Sequence, residues 1–184
     1  MSKTKIFAHR GASAYAPENT MEAFELAAKQ GADGIELDVH VTKDGEVVVT
    51  HDEKIDRVSN GSGFIKDMTL RELKRLSFHN HMESYVGAGI PTLREVLEYV
   101  STTNMDVNIE LKTGIYWYPQ IEEKTAFIVQ ETGMHDRVIY SSFNHHSIAK
   151  LKEIDSTAET AWLFSDVILD VEKYAKQNGV EGLH

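Results

Sequence analysis

Four short motifs combine acidic, basic and imidazole side chains at the ends of apolar runs. The motifs are His9-Arg10-Gly11, Glu36-Leu37-Asp38, His51-Asp52 and Glu110-Leu111-Lys112. Because side chains alternate between the two faces of a strand, Glu36 and Asp38 share one face, and so do Glu110 and Lys112. Three acids on inward faces are costly unless a cation neutralises them. The pattern therefore indicates a site for a hard divalent cation beside two histidines that exchange protons near neutral pH.

Each residue type in these motifs also has a purely structural explanation. The acids would be ordinary surface carboxylates if their strands lay at sheet edges, where charged side chains hinder aggregation. A single histidine is more often hydrogen-bonded in a core than catalytic. The two cations, Arg10 and Lys112, would then form salt bridges with the same acids. The motifs alone leave both explanations open.

Composition limits the classes of function. The chain has 184 residues, 41% of them hydrophobic and 26% charged, which is typical of one soluble globular domain. A net charge of -10 without a basic run argues against a nucleic-acid or anionic-membrane partner. The sequence has no cysteine, no apolar stretch long enough to span a membrane and no signal-peptide core. We therefore expect a cytoplasmic protein that acts on a small molecule.

Strand and helix patterns alternate along the chain. Apolar runs predict strands over 6–9, 34–42, 47–51, 107–112, 138–143, 161–164 and 179–184, and helical periodicity covers 21–30, 92–100, 121–132, 147–154 and 167–177. This alternation predicts a parallel sheet with helices outside it, in a single domain over 1–184. The rhythm breaks at 53–91, where we expect a small insertion. Because the candidate site residues end at least three strands, and no glycine-rich nucleotide motif follows a strand, a (β/α) barrel is favoured over an open sheet.

The motifs and their order resemble the glycerophosphodiester phosphodiesterase family, in its bacterial, cytosolic form. The matching segments are 8–13 (AHRGAS), 17–20 (PENT), 31–39 (GADGIELDV), 43–45 (KDG), 48–52 (VVTHD), 90–93 (IPTL), 108–112 (NIELK), 118–119 (YP) and 142–145 (SFNH). The resemblance implies a TIM-type barrel with a small insertion early in the chain. Members usually run further beyond the position of His184, so we expect a barrel that lacks its last strands.

The resemblance also implies roles for seven motif residues: metal ligation by Glu36, Asp38 and Glu110, acid/base chemistry by His9 and His51, and phosphate binding by Arg10 and Lys112. A ligand set made of carboxylates favours Mg²⁺ or Ca²⁺ over Zn²⁺. The implied reaction is metal-dependent hydrolysis of glycerophosphodiesters to glycerol 3-phosphate and an alcohol. The alternatives are a related phosphatidylinositol-type phospholipase and a non-catalytic module that binds phosphodiesters.

Residues outside the motifs have weaker expectations. Trp117 and Phe143 are candidates for the substrate mouth. Asn19 or Thr20 is expected to cap the first helix. Glu18 and Asn19 are expected to serve loop and cap geometry, with a role in the site as the alternative, and His40 is expected to pack or to face solvent. The remaining histidines are expected to be solvated, at positions 79, 81, 135, 145 and 146.

Overall fold

A computed structural model describes residues 4–184 of the protein. The strands are β1 (Phe7–His9), β2 (Gly34–Val41), β3 (Val47–Val49), β4 (Asp106–Leu111), β5 (Val138–Ser142), β6 (Glu159–Trp162) and β7 (Gly182–Leu183). The α-helices are α1 (Met21–Lys29), α2 (Leu70–Leu73), α3 (Leu93–Ser101), α4 (Ile121–Glu131), α5 (His145–Ile154) and α6 (Val171–Gln177). Short 3-10 turns cover Ile65–Asp67, Glu83–Tyr85 and His135–Arg137. Within residues 4–184, no helix is both long and apolar enough to cross a bilayer.

Six of the strands form one curled parallel sheet in the order β1-β2-β4-β5-β6-β7. β3 pairs antiparallel with the end of β2, beyond the residues that β1 occupies on the same edge. The helices cover the outside of this half-barrel, and the predicted α/β class is confirmed. All carboxyl ends of the parallel strands therefore meet on one side of the molecule, where the loops that follow them converge.

Helix α3 illustrates why the segments between strands become helices. Thr92 accepts a hydrogen bond from the backbone N–H of Glu95, and the Glu95 carboxylate accepts one from the backbone N–H of Thr92, which is a complete capping box. Four apolar residues at helical spacing are buried against the sheet: Leu93, Val96, Leu97 and Val100. The predicted elements are present, with ends displaced by a few residues.

Two predicted boundaries were wrong in ways that affect the loops. β3 ends at Val49, so His51 lies beyond the strand that was expected to include it. Helix α6 begins at Val171 rather than at residue 167, because Asp170 adopts a left-handed backbone conformation with φ of 56°. Val167 and Leu169 are consequently exposed in the loop after β6.

Residues 53–91 pack around a small apolar cluster of their own. Its members are Val48, Ile55, Val58, Ile65, Leu73, Phe78 and Ile90. The segment begins and ends at nearly one place, because Val48 forms an antiparallel bridge with Thr92 and the Val49 N–H donates to the Pro91 carbonyl at 2.9 Å. This arrangement agrees with an insertion, while the division of the chain into a domain and an insertion stays a prediction.

The loop after β1 has an unusual backbone. Arg10 and Asn19 both adopt left-handed conformations, with φ of 56° and 57°, and the Asn19 N–H donates to the Arg10 carbonyl at 3.0 Å. Gly11 has φ of 77° and lies so close to α1 that a Cβ atom there would be 2.8 Å from the backbone of Ala23. Glycine is therefore required at position 11 for both its conformation and its size.

A pair of glycine substitutions tests this requirement. Gly31 has φ of 79° and open space where a Cβ atom would lie, so Gly31→Ala carries only the left-handed backbone cost of about 1–2 kcal/mol. Gly11→Ala carries the same cost and a steric clash with α1, which adds about 1–3 kcal/mol. Urea unfolding of both variants should therefore show the larger loss of stability for Gly11→Ala. Equal losses would mean that the loop moves away from α1 without cost.

Candidate functional site

Strand register brings three carboxylates together at the carboxyl end of the sheet. Asp38 on β2 is directly opposite Glu110 on β4, and Glu36 on β2 is opposite His9 on β1. One oxygen from each of Glu36, Asp38 and Glu110 lies within 4.8 Å of the others. The alternation of side chains along β2 and β4 thus produces the cluster that the motifs predicted.

Burial and mutual repulsion oppose the ionisation of this cluster. Burial raises the pKa of Glu36 above its usual range, and the neighbouring charges of Asp38 and Glu110 raise it further. Burial and the charge of Asp38 raise the pKa of Glu110 in the same way. The ionised forms of Glu36 and Glu110 are therefore unfavourable here, and a bound cation would stabilise them.

Two cations already lie against the acids. The Lys112 ammonium is 2.8 Å from a Glu110 oxygen and 3.6 Å from Asp38 Oδ1. Arg10 Nε is 3.5 Å from Asp38 Oδ2, and the Arg10 backbone N–H donates to a Glu36 carboxylate oxygen at 3.0 Å. The ion pairs that the sequence left open for Arg10 and Lys112 are present. Phosphate binding by either cation stays a prediction.

The donor atoms of the cluster suit a hard divalent ion. Asp38 is 1% exposed, and its Oδ1 atom is buried without a hydrogen-bond partner among the described residues. The other oxygen, Oδ2, accepts a hydrogen bond of 2.8 Å from the Asn19 side-chain amide. With the Lys112 ammonium 3.6 Å away and no hydrogen-bond donor among residues 4–184, the buried Oδ1 atom is only partly compensated. Glu36, Asp38 and Glu110 together offer oxygen ligands of the kind that Mg²⁺ and Ca²⁺ prefer.

The two motif histidines have different surroundings. The His9 side chain is 69% exposed, with Nε2 3.8 Å from a Glu36 oxygen. Partial burial and the charge of Arg10 lower the pKa of His9, which favours the neutral ring that can accept a proton. His51 lies just before segment 53–91, and its Nδ1 is 2.6 Å from Asp52 Oδ1. Since a carboxylate only accepts, Nδ1 of His51 donates, and Nε2 is the nitrogen left for proton exchange.

Three polar residues that the sequence did not place in the site connect its parts. Asp52 accepts from His51 and from Arg57, and Arg57 also donates to Glu18. Glu18 in turn accepts a hydrogen bond of 3.1 Å from the guanidinium of Arg10. Glu18 therefore contacts residues of the site as well as shaping the loop. The side chain of Thr20, not that of Asn19, caps α1.

His40 lies in the interior next to the site and hydrogen-bonds to the backbone of His51. It is fully buried, and burial lowers its pKa, so the ring is neutral. Nε2 donates to the backbone carbonyl of His51 at 3.0 Å, which leaves Nδ1 to accept from the hydroxyl of Tyr118 at 2.9 Å. Of the two expected environments for His40, interior packing and solvent, the structure shows packing, and its hydrogen bonds tie the backbone at His51 to the loop after β4.

The candidate mouth residues lie in loops at the same end of the sheet. Trp117 is 68% exposed and follows β4, and Phe143 directly follows β5 and is also exposed. Trp117 lines a cleft of about 330 Å³ together with Asn144 and His146. A substrate role for either residue stays a prediction.

His145 differs from the solvated histidine that the sequence predicted. Its ring stacks on Trp162, with centroids 4.4 Å apart and planes 9° from parallel. Its Nε2 lies 3.2 Å from the Leu163 carbonyl. These contacts fix the start of α5 against the end of β6, which is a packing role.

Comparison with known proteins adds an independent line of support. Residues 9–180 match the model of the glycerophosphoryl diester phosphodiesterase family. The chain is 51% identical over 153 residues to a glycerophosphodiester phosphodiesterase of Caldanaerobacter subterraneus, a match that covers 83% of this chain and 63% of that protein. It is 48% identical over 183 residues to a glycerophosphodiester phosphodiesterase of Bacillus altitudinis, covering 98% and 75%. The chain thus spans about two thirds to three quarters of the length of these relatives.

Solved structures agree with the family match. A phosphodiesterase of Oleispira antarctica, in complex with the product sn-glycerol-3-phosphate, superposes with a TM-score of 0.92 at 30% identity, covering 98% of this chain and 74% of that one. A glycerophosphodiester phosphodiesterase of Agrobacterium tumefaciens gives a TM-score of 0.79 at 37% identity, covering 88% and 66%. These neighbours are TIM-type barrels, which agrees with the half-barrel described above. The chain belongs to the glycerophosphoryl diester phosphodiesterase family.

Proposed function

We propose that the protein hydrolyses glycerophosphodiesters to glycerol 3-phosphate and an alcohol, with a divalent metal as cofactor and His9 and His51 as the acid/base pair. The observation that carries this proposal is the convergence of three carboxylates, two cations and His9 at the carboxyl ends of neighbouring strands, with His51 near enough for its charge to act on Glu110. Family membership supports it, and so does the product bound to the Oleispira antarctica relative.

Glu36, Asp38 and Glu110 are the residues that would hold the metal, as Mg²⁺ or Ca²⁺. When bound, such an ion neutralises phosphate oxygens and makes the phosphorus more electrophilic. Arg10 and Lys112 line the same space, and both can donate to the phosphate oxygens whose negative charge grows in the transition state. Lys112 remains protonated for this role, since its pKa is raised: burial lowers it, but the charges of Glu110 and Asp38 raise it by more.

The histidines supply the proton transfers. In the first step the glycerol 2-hydroxyl attacks phosphorus, one histidine takes the hydroxyl proton, and the other gives a proton to the departing alcohol oxygen. Water then attacks the cyclic phosphate, with the roles of the histidines reversed, and the bond to the 2-oxygen breaks to give glycerol 3-phosphate. Either histidine can begin as the base. Two imidazoles that titrate near neutral pH suit this exchange.

One observation favours a second candidate. The loops after β4 and β6 expose apolar side chains beside the mouth, among them Ile115, Trp117, Val167 and Leu169. A phospholipase that acts on aggregated lipid would use such a surface. Release of glycerol 3-phosphate from soluble glycerophosphocholine, with and without EDTA, separates the candidates. A phosphodiesterase releases glycerol 3-phosphate and EDTA inhibits the release. A phospholipase releases product only from lipid, and a binding module releases none from either substrate. The cytoplasmic location stays a prediction.

The metal assignment predicts opposite effects of one substitution on the metal-free and metal-bound protein. Glu36→Gln removes a destabilising charge and should raise the melting temperature without metal, because the pKa of Glu36 is raised by burial and repulsion. The same change should abolish the metal-induced increase, which for the parent protein is about 5–10 °C at a metal concentration 100 times Kd.

Glu98→Gln on the exposed face of α3 is the matched control. Its melting temperature should respond to Mg²⁺ or Ca²⁺ as the parent protein does, in differential scanning fluorimetry. If Glu36→Gln keeps the full response, Glu36 is not a ligand.

The raised pKa values also predict a pH dependence of metal binding. Carboxyl groups with raised pKa values hold protons at higher pH than usual, and these protons must leave before a cation binds. The apparent affinity should therefore rise as pH rises through the neutral range, and binding should release protons. Calorimetric titration in buffers of different ionisation enthalpy measures both. An affinity independent of pH between about 6 and 9 would contradict ionisation of these acids on binding.

Replacement of the histidines separates chemistry from metal binding. His9→Ala and His51→Ala should each lower turnover by about 10²- to 10⁴-fold, the usual contribution of a general acid or base, while the metal-induced thermal shift persists. His135→Ala is the control, because this residue precedes β5 and lies at the opposite end of the sheet. Near-normal turnover in either site variant would remove that histidine from the mechanism.

A further inference from the structure

We infer that Arg57 is a positioning residue of this site, which orients His51 through Asp52 and holds Glu18 away from full pairing with Arg10. The inference rests on the proposed function, since His51 and Arg10 have their roles from it. It assigns a task to the insertion at 53–91, which supplies Arg57.

Arg57 uses three N–H groups on two carboxylates. Its Nε donates to Asp52 Oδ2 at 2.7 Å, and its two terminal nitrogens donate to the two oxygens of Glu18 at 2.7 and 2.8 Å. A planar guanidinium can make this fork and a side contact at once, whereas an ammonium group cannot. Position 57 therefore uses the particular geometry of arginine.

The first effect of these contacts is on the ring of His51. Asp52 Oδ1 accepts the Nδ1–H of His51 at 2.6 Å while Oδ2 is held by Arg57. Burial alone would raise the pKa of Asp52, but the hydrogen bonds from Arg57 and His51 lower it to about 2, so the acceptor stays ionised. A fixed acceptor on Nδ1 sets both the tautomer and the plane of an imidazole. The Nε2 atom of His51 then carries no proton in the neutral ring and is the nitrogen available for proton exchange.

The second effect is on the charge of Arg10. Glu18 is 11% exposed and contacts both Arg57 and Arg10, the latter at 3.1 Å. One carboxylate shared between two guanidiniums neutralises neither completely. Without Arg57, Glu18 would pair with Arg10 alone, and Arg10 would bind a phosphate more weakly.

An ordinary surface salt bridge is the competing explanation, since the Arg57 side chain is 43% exposed. Exposed ion pairs as a rule contribute little to the free energy of unfolding. Here, however, the acceptors lie inside the site: Glu18 is nearly buried, and Asp52 contacts a proposed catalytic residue. The two explanations differ in what they predict for the tautomer of His51, which a mere surface pair does not affect.

The experiment compares Arg57→Met and Arg57→Lys with Arg71→Met, an exposed arginine of the same insertion, in the 184-residue chain. Arg57→Met should lower kcat for glycerophosphocholine by about 10- to 100-fold, the usual effect of removing a residue that supports a functional side chain, and should raise KM. Arg57→Lys should recover only part of either loss. Arg71→Met should leave both constants unchanged.

Long-range ¹H–¹⁵N spectra of the imidazoles provide the readout that does not depend on activity. The parent protein should show His51 with its proton on Nδ1, and Arg57→Met should show a mixture of tautomers. Asp52→Asn should produce the same mixture, and adding Arg57→Met to it should lower kcat by less than the two single effects multiplied together.

Each outcome decides the question. An unchanged tautomer in Arg57→Met overturns the orientation of His51 by Arg57 even if kcat falls, and an unchanged KM overturns the effect of Arg57 on Arg10. If Arg57→Met does not fold, the same spectra of Arg57→Lys apply, and a fully normal tautomer and kcat there overturn the inference. Absence of phosphodiesterase activity in the parent protein would contradict the proposed function. The tautomer comparison would still test whether Arg57 positions His51.

Discussion

Repulsion among Glu36, Asp38 and Glu110 governs the arrangement of the loops around them. The pairing of β2 with β4 places these carboxylates within 4.8 Å of one another on a face where water is scarce. Each surrounding segment brings a compensating group to this place: the ammonium of Lys112 from the end of β4, and the guanidinium of Arg10 from the loop after β1. These groups offset only part of the negative charge. A metal cation and a phosphate together would complete the balance, which links the chemistry of the site to its stability.

The backbone after β1 bears a cost for this arrangement. Arg10 and Asn19 are held in left-handed conformations, which are disfavoured by about 1–3 kcal/mol for residues other than glycine. In return, the Arg10 N–H reaches both the backbone carbonyl and the side chain of Glu36, and the Asn19 amide reaches Asp38. One short loop thus contacts two of the three acids. The close approach of Gly11 to Ala23 holds this loop against α1 and so against the barrel wall.

Strand periodicity was sufficient to predict the shared faces of Glu36 with Asp38 and of Glu110 with Lys112, because alternation along a strand is a local property. The approximate positions of helices and strands could also be predicted from the sequence, because capping residues such as Thr92 act over only a few neighbouring residues. Arg57 could not be found in this way. It belongs to an irregular segment, and its contacts with Glu18 and Asp52 depend on how that segment folds back over the sheet. His145 was missed for a related reason: its stacking partner, Trp162, comes from a different strand.

The place where segment 53–91 leaves the sheet has a further consequence. The entry and exit of the segment are joined by the Val48–Thr92 bridge and by the hydrogen bond between Val49 and Pro91, so both ends of the segment leave the sheet at one place. The entropy of closing a loop depends only weakly on its length. Residues can therefore be gained or lost beyond this neck without shifting the register of the strands that hold the carboxylates. The length of this segment can therefore change while the acids remain where they are, whereas the contacts of Arg57 with Asp52 and Glu18 tie the start of the segment to the site.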